Sequence, residues 1–249
     1  MDQNILYVVG IGPGTRDMRT IQADRILREA EVIAGYSVYN DLVREDYPQA
    51  EFLTTPMRKE RERCLLALER AAEGRTCALI CSGDPGVYGM AGLLLELRDK
   101  QFPDVQVKVI PGVTAALSGA ALLGSPLGHD FAVISLSDAL TPWETIEQRL
   151  LACAGAGMAI ALYNPESRTR AGYLKRACGI LLQVLPENTI CGIAENIGRD
   201  GEACRVMTLK ELSGEMVTMF STVFIGSPET RGTGGCMVTP RGYEKKEQQ

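Results

Sequence analysis

Three short loops rich in glycine and proline follow three strand-like apolar runs in this chain. Their sequences are Gly10-Ile11-Gly12-Pro13-Gly14, Ser82-Gly83-Asp84-Pro85-Gly86 and Pro111-Gly112-Val113-Thr114. In an open parallel sheet the carboxyl ends of the strands converge on one crevice, where ligands bind. Because glycine has no side chain to keep a ligand away from the main chain, the loops predict a binding site built largely from backbone.

The first loop departs from the loop that binds dinucleotides. That fingerprint requires Gly-x-Gly-x-x-Gly and an acidic residue about 20 positions further on, whereas Thr15 stands in place of the third glycine and Gly35 follows the second strand-like run. Pro13 also lacks the backbone N–H that a phosphate cradle would use. A nicotinamide-dependent oxidoreductase is therefore a less favoured alternative, and no Gly-Lys-Ser/Thr follows to make a triphosphate-binding loop.

Asp84 in the second loop allows two interpretations. Its carboxylate can cap the following helix, with Pro85 in the first turn of that helix. Alternatively, it attracts a cationic group of a ligand or accepts a hydrogen bond from a ribose hydroxyl. Capping leaves Ser82-Gly83 unexplained, so both interpretations stay open.

Cysteine and histidine do not form a metal-binding pattern. The eight cysteines include no Cys-x-x-Cys pair, and His129 is the only histidine. Structural zinc sites draw on closely spaced ligands, so we predict no metal site. The cysteines are expected to be small buried apolar residues in a reducing compartment.

Charge and hydropathy argue against two classes of partner. The chain has 249 residues and a formal net charge of -5, whereas nucleic-acid surfaces concentrate Lys and Arg to neutralise phosphates. No apolar run reaches the roughly 18 residues of a membrane span, and the amino terminus lacks the basic start of a secretion signal. We expect a cytoplasmic protein without nucleic-acid or membrane partners.

Strand-like and helix-like runs alternate along the first part of the chain, which is typical of a doubly wound α/β fold. The pattern predicts strands at 5–9, 32–34, 76–81 and 105–110 and helices at 18–30, 58–73, 87–97 and 113–123. The arginines and glutamates that alternate between Arg58 and Arg63 are expected to form a solvated helix face.

Glycine and proline at 124–128 mark a linker before a second alternation. There, the runs 203–208 and 218–225 are separated only by a short helical turn, which favours antiparallel pairing. The sequence therefore predicts an α/β protein with two domains around a cleft. The amino-terminal domain, 1–124, has a mostly parallel sheet, and the carboxyl-terminal domain, 129–243, has a mixed sheet followed by a polar tail at 244–249.

Five motifs together resemble those of the tetrapyrrole methylase family. They are Gly86-Val87-Tyr88-Gly89-Met90-Ala91-Gly92, Leu127-Gly128-His129-Asp130-Phe131, Ile134-Ser135-Leu136-Ser137-Asp138, Thr141-Pro142-Trp143 and Tyr163-Asn164-Pro165-Glu166-Ser167-Arg168. The likeness covers nearly the whole chain. It implies a C-methyltransferase that uses S-adenosyl-L-methionine, and it is nearest to family members that methylate C17 of a cobalamin precursor and contract the ring.

The resemblance also implies roles for individual residues. It assigns to the cofactor pocket Pro13, Gly83, Asp84, Val87, Thr114, Ala115, Tyr163, Asn164 and Gly192. The implied tetrapyrrole substrate carries many carboxylates, for which the candidate contacts are Arg168, Ser135 and Ser137. The family likeness implies a homodimer as well.

Methyl transfer requires little covalent chemistry from the protein, because orienting the two reacting atoms supplies most of the rate acceleration. The implied ring contraction also needs proton transfers. Candidate acid–base groups are His129, whose imidazole is chemically suited near neutral pH, and Asp138. The structural alternative for His129 is a hydrogen bond to the neighbouring backbone.

The exact acceptor stays open. The resemblance favours cobalt-factor III over metal-free precorrin-3B, and methylation of another carbon of the same macrocycle is an alternative. The nicotinamide-dependent oxidoreductase and a noncatalytic corrinoid-binding module are alternatives from other classes.

Overall fold

The structure is a computed structural model that describes residues 4–167 and 171–243. Contacts between residues divide the chain into two units, Met1–Thr114 and Ala115–Gln249. The predicted polar tail, 244–249, lies outside the described residues. Across the described part, we find no helix that combines the length and the apolar character needed to cross a bilayer.

In the described part of the first unit, five strands form one parallel sheet. They are β1 (Ile5–Gly10), β2 (Val32–Tyr36), β3 (Glu51–Thr55), β4 (Cys77–Cys81) and β5 (Gln106–Ile110). The accompanying helices are α1 (Ile21–Glu29), α2 (Ser37–Asp41), α3 (Glu60–Ala72) and α4 (Ala91–Gln101). Because the strand order is β3-β2-β4-β1-β5, the carboxyl ends of β4, β1 and β5 are neighbours.

Both faces of this sheet are covered, which is why its central strands are apolar at almost every position. On one face, Leu79 of β4 packs in a cluster with Leu68 of α3 and Leu94 of α4. On the other face, Ile80 packs in a cluster with Leu27 of α1. The sheet is thus a rigid base for the loops at its carboxyl edge.

A partly buried ionic network fixes the segment that follows the first glycine loop. The Arg19 side chain, 1% exposed, donates to Asp46 Oδ2 at 3.1 Å and to the Tyr47 hydroxyl. Tyr47 Oη in turn donates to Asp24 Oδ1 at 2.8 Å, and Arg28 Nε donates to Asp24 Oδ2 at 2.9 Å. Burial, together with the hydrogen bond to Asp24, raises the pKa of Tyr47 to about 12.

We expect Asp24 to make the protein less stable in acid. Burial alone would raise the pKa of its carboxyl, but hydrogen bonds from Tyr47 and Arg28 outweigh burial and lower the pKa below the ordinary value. A group with a lowered pKa stabilises the fold above its unfolded pKa, and this contribution is lost as pH falls through the folded pKa. Urea unfolding between about pH 6 and about pH 3 measures this contribution. As pH falls over this range, the free energy of unfolding should decrease less for Asp24→Asn than for wild type.

The control for this prediction is Asp104→Asn, which removes an exposed carboxylate outside the network. It should follow the wild-type dependence on pH. An equal dependence of the free energy of unfolding on pH in Asp24→Asn and wild type would contradict the prediction.

The described part of the second unit contains two sheets. Their strands are β6 (Gly124–Ser125), β7 (Phe131–Ser135), β8 (Ala159–Tyr163), β9 (Ile190–Glu195), β10 (Ala203–Thr208), β11 (Ser221–Ile225), β12 (Arg231–Thr233) and β13 (Cys236–Val238). The larger sheet has the order β10-β9-β11-β8-β7 and is mixed, because only β7 and β8 are parallel. The small sheet has the order β12-β13-β6.

Helices cover both faces of the mixed sheet. They are α5 (Ala115–Leu123), α6 (Trp143–Gly155), α7 (Tyr173–Leu181) and the short α8 (Leu209–Leu212). Leu150 of α6 and Leu174 of α7 pack with Ile193 on one face, and Ala120 of α5 packs with Phe224 on the other. The predicted fold class, a mostly parallel sheet and a mixed sheet, is confirmed.

Helix α5 packs within the second unit, although the sequence places the linker after it. At Gly119 an added Cβ would lie 3.0 Å from the Phe224 ring, so the small residues of α5 allow close packing on the sheet. Residues 124–128 include β6, which pairs with β13. The contact units therefore divide before α5, and domain limits at 124 and 129 stay a prediction.

Several elements differ from the sequence prediction. Strand β3 lies at a sheet edge and has one buried residue, and every residue of β12 is exposed, so neither has the buried apolar run that identifies a strand. Helix α4 begins at Ala91 and not at 87. Five cysteines are buried as predicted, but Cys204 and Cys236 are exposed.

Candidate functional site

The glycine loops of the first unit bind to each other at the carboxyl edge of the parallel sheet. The Gly12 N–H donates to the Gly83 carbonyl at 3.2 Å, and the Gly83 N–H donates to the Gly12 carbonyl at 2.7 Å. The Ile11 N–H donates to the Cys81 carbonyl at 2.9 Å. These backbone N–H groups are used between the loops and are not presented to a phosphate, which disfavours the nicotinamide alternative.

Two of the glycines are required by this contact. A Cβ added to Gly10 would lie 2.6 Å from the Gly83 carbonyl oxygen, and one added to Gly112 would lie 2.1 Å from the same atom. Neither position has room for a side chain. The sequence suggested that these glycines leave room for a ligand. The structure corrects this interpretation, because Gly10 and Gly112 leave room for the neighbouring main chain.

Asp84 joins the second loop to the third. Its Oδ1 accepts from the Gly86 N–H at 2.8 Å and its Oδ2 from the Gly112 N–H at 3.0 Å. Capping of the following helix is wrong, because α4 begins only at Ala91, beyond reach of this carboxylate. Each oxygen keeps a further lone pair with which it can accept a hydroxyl hydrogen bond.

The structure brings together the site residues predicted in the first unit. Gly83, Asp84 and Val87 lie in the loop after β4, while Pro13 and Thr114 lie in the loops after β1 and β5. Because these three strands are neighbours, all five residues lie at one edge of the sheet.

In the second unit, Tyr163 and Asn164 lie at the carboxyl end of β8. The Tyr163 hydroxyl accepts from the Ala116 N–H at 2.6 Å, so it satisfies a free N–H in the first turn of α5, next to Ala115. Asn164 has a left-handed backbone, with φ of +53°. Its Nδ2 donates to Ser135 Oγ at 3.0 Å.

Ser135 and Ser137 are close to each other at the end of β7. Ser135 Oγ accepts both from Asn164 Nδ2 and, at 3.2 Å, from the Ser137 N–H. Because β7 and β8 are parallel neighbours, these polar groups share one edge of the mixed sheet. Arg168, the third predicted substrate contact, lies outside the described residues.

Gly192 of β9 is buried in the core of the second unit. A Cβ added there would lie 2.6 Å from Met237 Sδ and 2.8 Å from Leu123. Packing of these side chains explains why the residue is glycine. Its assignment to the cofactor pocket stays a prediction about its backbone.

Asp138 is exposed and has a partner that the sequence does not reveal. Tyr173 Oη donates to Asp138 Oδ2 at 2.6 Å. The Tyr173 and Trp143 rings form an edge-to-face pair, with ring centres 5.0 Å apart. The positions 138 and 173 are far apart in sequence, so no spacing rule could identify this pair.

His129 is exposed, and its Nδ1 accepts from the Asp130 N–H at 2.9 Å. This contact is the structural alternative foreseen for the residue, and a catalytic role for His129 stays a prediction. Among the described residues, we find no group of three or more His, Cys, Asp or Glu side chains placed to hold a metal ion.

Comparison with known proteins gives consistent matches over the length of the chain. The family model for Tetrapyrrole (Corrin/Porphyrin) Methylases matches residues 5–213. A probable cobalt-factor III C(17)-methyltransferase of Salmonella typhimurium is 46% identical, over 96% of this chain and 99% of that protein. The chain belongs to the tetrapyrrole methylase family.

Further members of this family support the match. A precorrin-3B C(17)-methyltransferase of a Sinorhizobium species is 41% identical over 96% of each chain. The crystal structure of the methyltransferase CobJ is 36% identical, with a TM-score of 0.88, over 95% of this chain and 100% of that one. The chain spans only about half the length of two other curated relatives, 53% and 45%.

As a tetrapyrrole methylase, the chain uses S-adenosyl-L-methionine as methyl donor. The residues at the first unit's loops fit this group. Asp84 is held in place by two backbone N–H groups and keeps acceptor capacity for ribose hydroxyls. Its negative charge suits a sulfonium and disfavours a pyrophosphate.

Arg63 of this tetrapyrrole methylase is an exception to the predicted solvated helix face, since residues 58–62 are exposed as expected. It is only 3% exposed. Its Nε donates to Thr55 Oγ1 at 2.8 Å, and its Nη2 donates to the Pro56 carbonyl at 3.0 Å. Nη1 lies 3.3 Å from Met90 Sδ. The guanidinium therefore ties the end of β3 to α3 and to the residue before α4.

We expect Arg63→Ala to lower the free energy of unfolding by about 2 to 4 kcal/mol, because it leaves buried acceptors without a donor and creates a void. Arg61→Ala is the matched control, since Arg61 is an exposed arginine of the same helix; it should change stability by less than about 0.5 kcal/mol. Denaturant unfolding of both variants checks this. Similar losses for the two would show that burial of Arg63 contributes nothing.

Proposed function

We propose that this chain transfers the methyl group of S-adenosyl-L-methionine to C17 of cobalt-factor III, with contraction of the macrocycle. The observation that carries the proposal is the 46% identity over nearly full length to a protein named as a probable cobalt-factor III C(17)-methyltransferase. The relative named for precorrin-3B is 41% identical, so the metal-free acceptor is the second candidate.

When bound, S-adenosylmethionine supplies a methyl group already activated by a sulfonium. The protein then needs to hold donor and acceptor in line, and this orientation supplies most of the rate. The Gly86 and Gly112 N–H groups hold the Asp84 carboxylate in place. From there Asp84 accepts hydrogen bonds from the ribose hydroxyls of the donor and so orients it. The other contacts that the family resemblance assigns to the cofactor, including Tyr163, Asn164 and the backbone of Gly192, are part of this proposal.

Ring contraction requires protons to move, and we assign these steps to side chains of the second unit. Asp138 and Tyr173, joined by the 2.6 Å hydrogen bond, can hold a proton at Asp138 Oδ2 or at the Tyr173 hydroxyl. His129 is the other proposed acid–base group. Ser135, Ser137 and Arg168 are proposed to contact the carboxylates of the substrate.

The proposed cellular setting is the cytoplasm, as a homodimer without nucleic-acid or membrane partners. The net charge of -5 supports the absence of a nucleic-acid surface. The homodimer follows from the family resemblance. Light scattering after size-exclusion chromatography measures the subunit number, and a monomer would remove this part of the proposal.

The test of the reaction is anaerobic incubation with labelled S-adenosylmethionine and either cobalt-factor III or precorrin-3B. Mass analysis should show one added methyl group in the first mixture, and nuclear magnetic resonance should place it on C17 of a contracted ring. A methyl group on another carbon would overturn the regiochemistry. Turnover only with precorrin-3B would overturn the choice of acceptor.

A further inference from the structure

Tyr88 combines an exposed aromatic side chain with a backbone conformation that tyrosine rarely adopts. It lies in the loop between β4 and α4, with φ of +54°, and is 56% exposed. A bulky residue in this left-handed region costs free energy and persists only where the surrounding structure imposes it. Such positions are concentrated at ligand-binding and active sites.

The loop around Tyr88 is closed tightly enough to impose this conformation. The Ala91 N–H donates to the Pro85 carbonyl at 3.0 Å across the loop. A Cβ added to Gly89 would lie 2.5 Å from the same carbonyl oxygen, so the residue after Tyr88 must be glycine. The loop around Tyr88 therefore fixes the backbone conformation from which its side chain leaves the main chain.

The base of the same loop carries Asp84, the proposed contact for the methyl donor. An acceptor carbon must lie next to the donated methyl group for transfer to occur. Tyr88 belongs to the same loop as Asp84, four residues further along the chain, and its side chain is exposed. Flat conjugated systems bind aromatic rings by offset stacking or by edge contacts.

We propose that Tyr88 is a specificity-determining residue whose ring contacts the conjugated macrocycle of the methyl acceptor. The strained backbone, imposed by the closed loop, fixes the point from which the ring extends. The inference rests on the proposed function for the identity of the acceptor.

The test compares Tyr88→Gly and Tyr88→Phe with wild type in the full chain. The first variant removes the ring and relieves the backbone, whereas the second keeps the ring and removes only the hydroxyl. Arg58→Gly is the matched control, because Arg58 is another exposed residue of the first unit with positive φ, +67°. Absorbance titration with cobalt-factor III in the presence of S-adenosylhomocysteine gives the macrocycle Kd without turnover.

Tyr88→Gly should weaken macrocycle binding about tenfold, which is the loss expected for one stacked ring. Its Kd for S-adenosylhomocysteine, measured by calorimetry, should stay within about twofold of wild type, because Asp84 is unchanged. Its melting temperature should be equal or higher, because glycine adopts positive φ without strain. Tyr88→Phe and Arg58→Gly should bind the macrocycle as wild type does.

Three results would overturn the proposal: unchanged macrocycle binding by Tyr88→Gly, an equal loss in Tyr88→Phe, or a joint fall of melting temperature and S-adenosylhomocysteine affinity in Tyr88→Gly. The last would make the ring a structural element of the loop. If wild type binds cobalt-factor III without methylating C17, the proposed reaction fails, while the Kd ratios still decide the role of Tyr88. Failure of wild type to bind the macrocycle would overturn both.

Discussion

Replacement of Gly112 by alanine is expected to destabilise the protein by about 3 to 5 kcal/mol, at the upper end for single substitutions. The added methyl group would lie 2.1 Å from the Gly83 carbonyl oxygen and 2.8 Å from the backbone of Gly10. These atoms are main chain in three loops tied to one sheet, so no side-chain rotation relieves the clash. The loops must separate, and the hydrogen bond from the Gly112 N–H to Asp84 is lost with them.

Denaturant unfolding and calorimetric binding of S-adenosylhomocysteine measure the two consequences. The matched control is Gly92→Ala, where an added Cβ meets nothing within 4 Å. Since Gly92 lies in α4, the control should stabilise the protein by up to about 1 kcal/mol. If both substitutions are tolerated equally, the close approach of the three loops is not a requirement of the fold.

The second large effect is expected for Asp84→Ala, which should weaken binding of S-adenosylhomocysteine about 100-fold. The reason is the loss of charge-assisted hydrogen bonds to the ligand, each contributing roughly 1.5 to 3 kcal/mol, together with the loss of the bonds that hold the loop. Asp84→Asn should fall between the alanine variant and wild type, because an amide keeps one acceptor oxygen and no charge.

Isothermal titration calorimetry gives these affinities, with Asp99→Ala as the control because it removes an exposed carboxylate from α4. The control should bind as wild type does. Unchanged affinity in Asp84→Ala would remove Asp84 from the cofactor site. A full loss that appears only together with unfolding would assign the residue to loop structure alone.

The Asp84 loop shows how far sequence reasoning reaches at the site. Its composition correctly places a polar residue among glycines at the carboxyl end of a buried strand. Capping of the following helix, one of the two interpretations of Asp84, is wrong, because Pro85 to Met90 form a closed turn in which the Ala91 N–H donates to the Pro85 carbonyl and the helix begins only at Ala91. Local propensity could not predict this, because one of the hydrogen bonds that hold the Asp84 carboxylate comes from the Gly112 N–H in another loop.

Arg63 and Tyr173 illustrate what the sequence could not provide. Arg63 alternates with glutamates like its exposed neighbours, and only the packing of α3 against β3 buries it. Tyr173 gains its role from a contact with Asp138, which lies on a different segment of the second unit. Contacts between residues so far apart along the chain depend on how the elements pack.

By itself, the sequence determined the alternation of strands and helices, the parallel and mixed sheets and the positions of the glycine loops, because these follow from local periodicity and backbone freedom. The motif likeness determined the family. Only the tertiary structure decided which glycines must lack a side chain because neighbouring main chain lies against them. It also decided which N–H groups donate to Asp84 and which contacts hold Tyr88 in a strained backbone conformation. Those properties depend on distances between separate loops, and adjacent residues do not encode such distances.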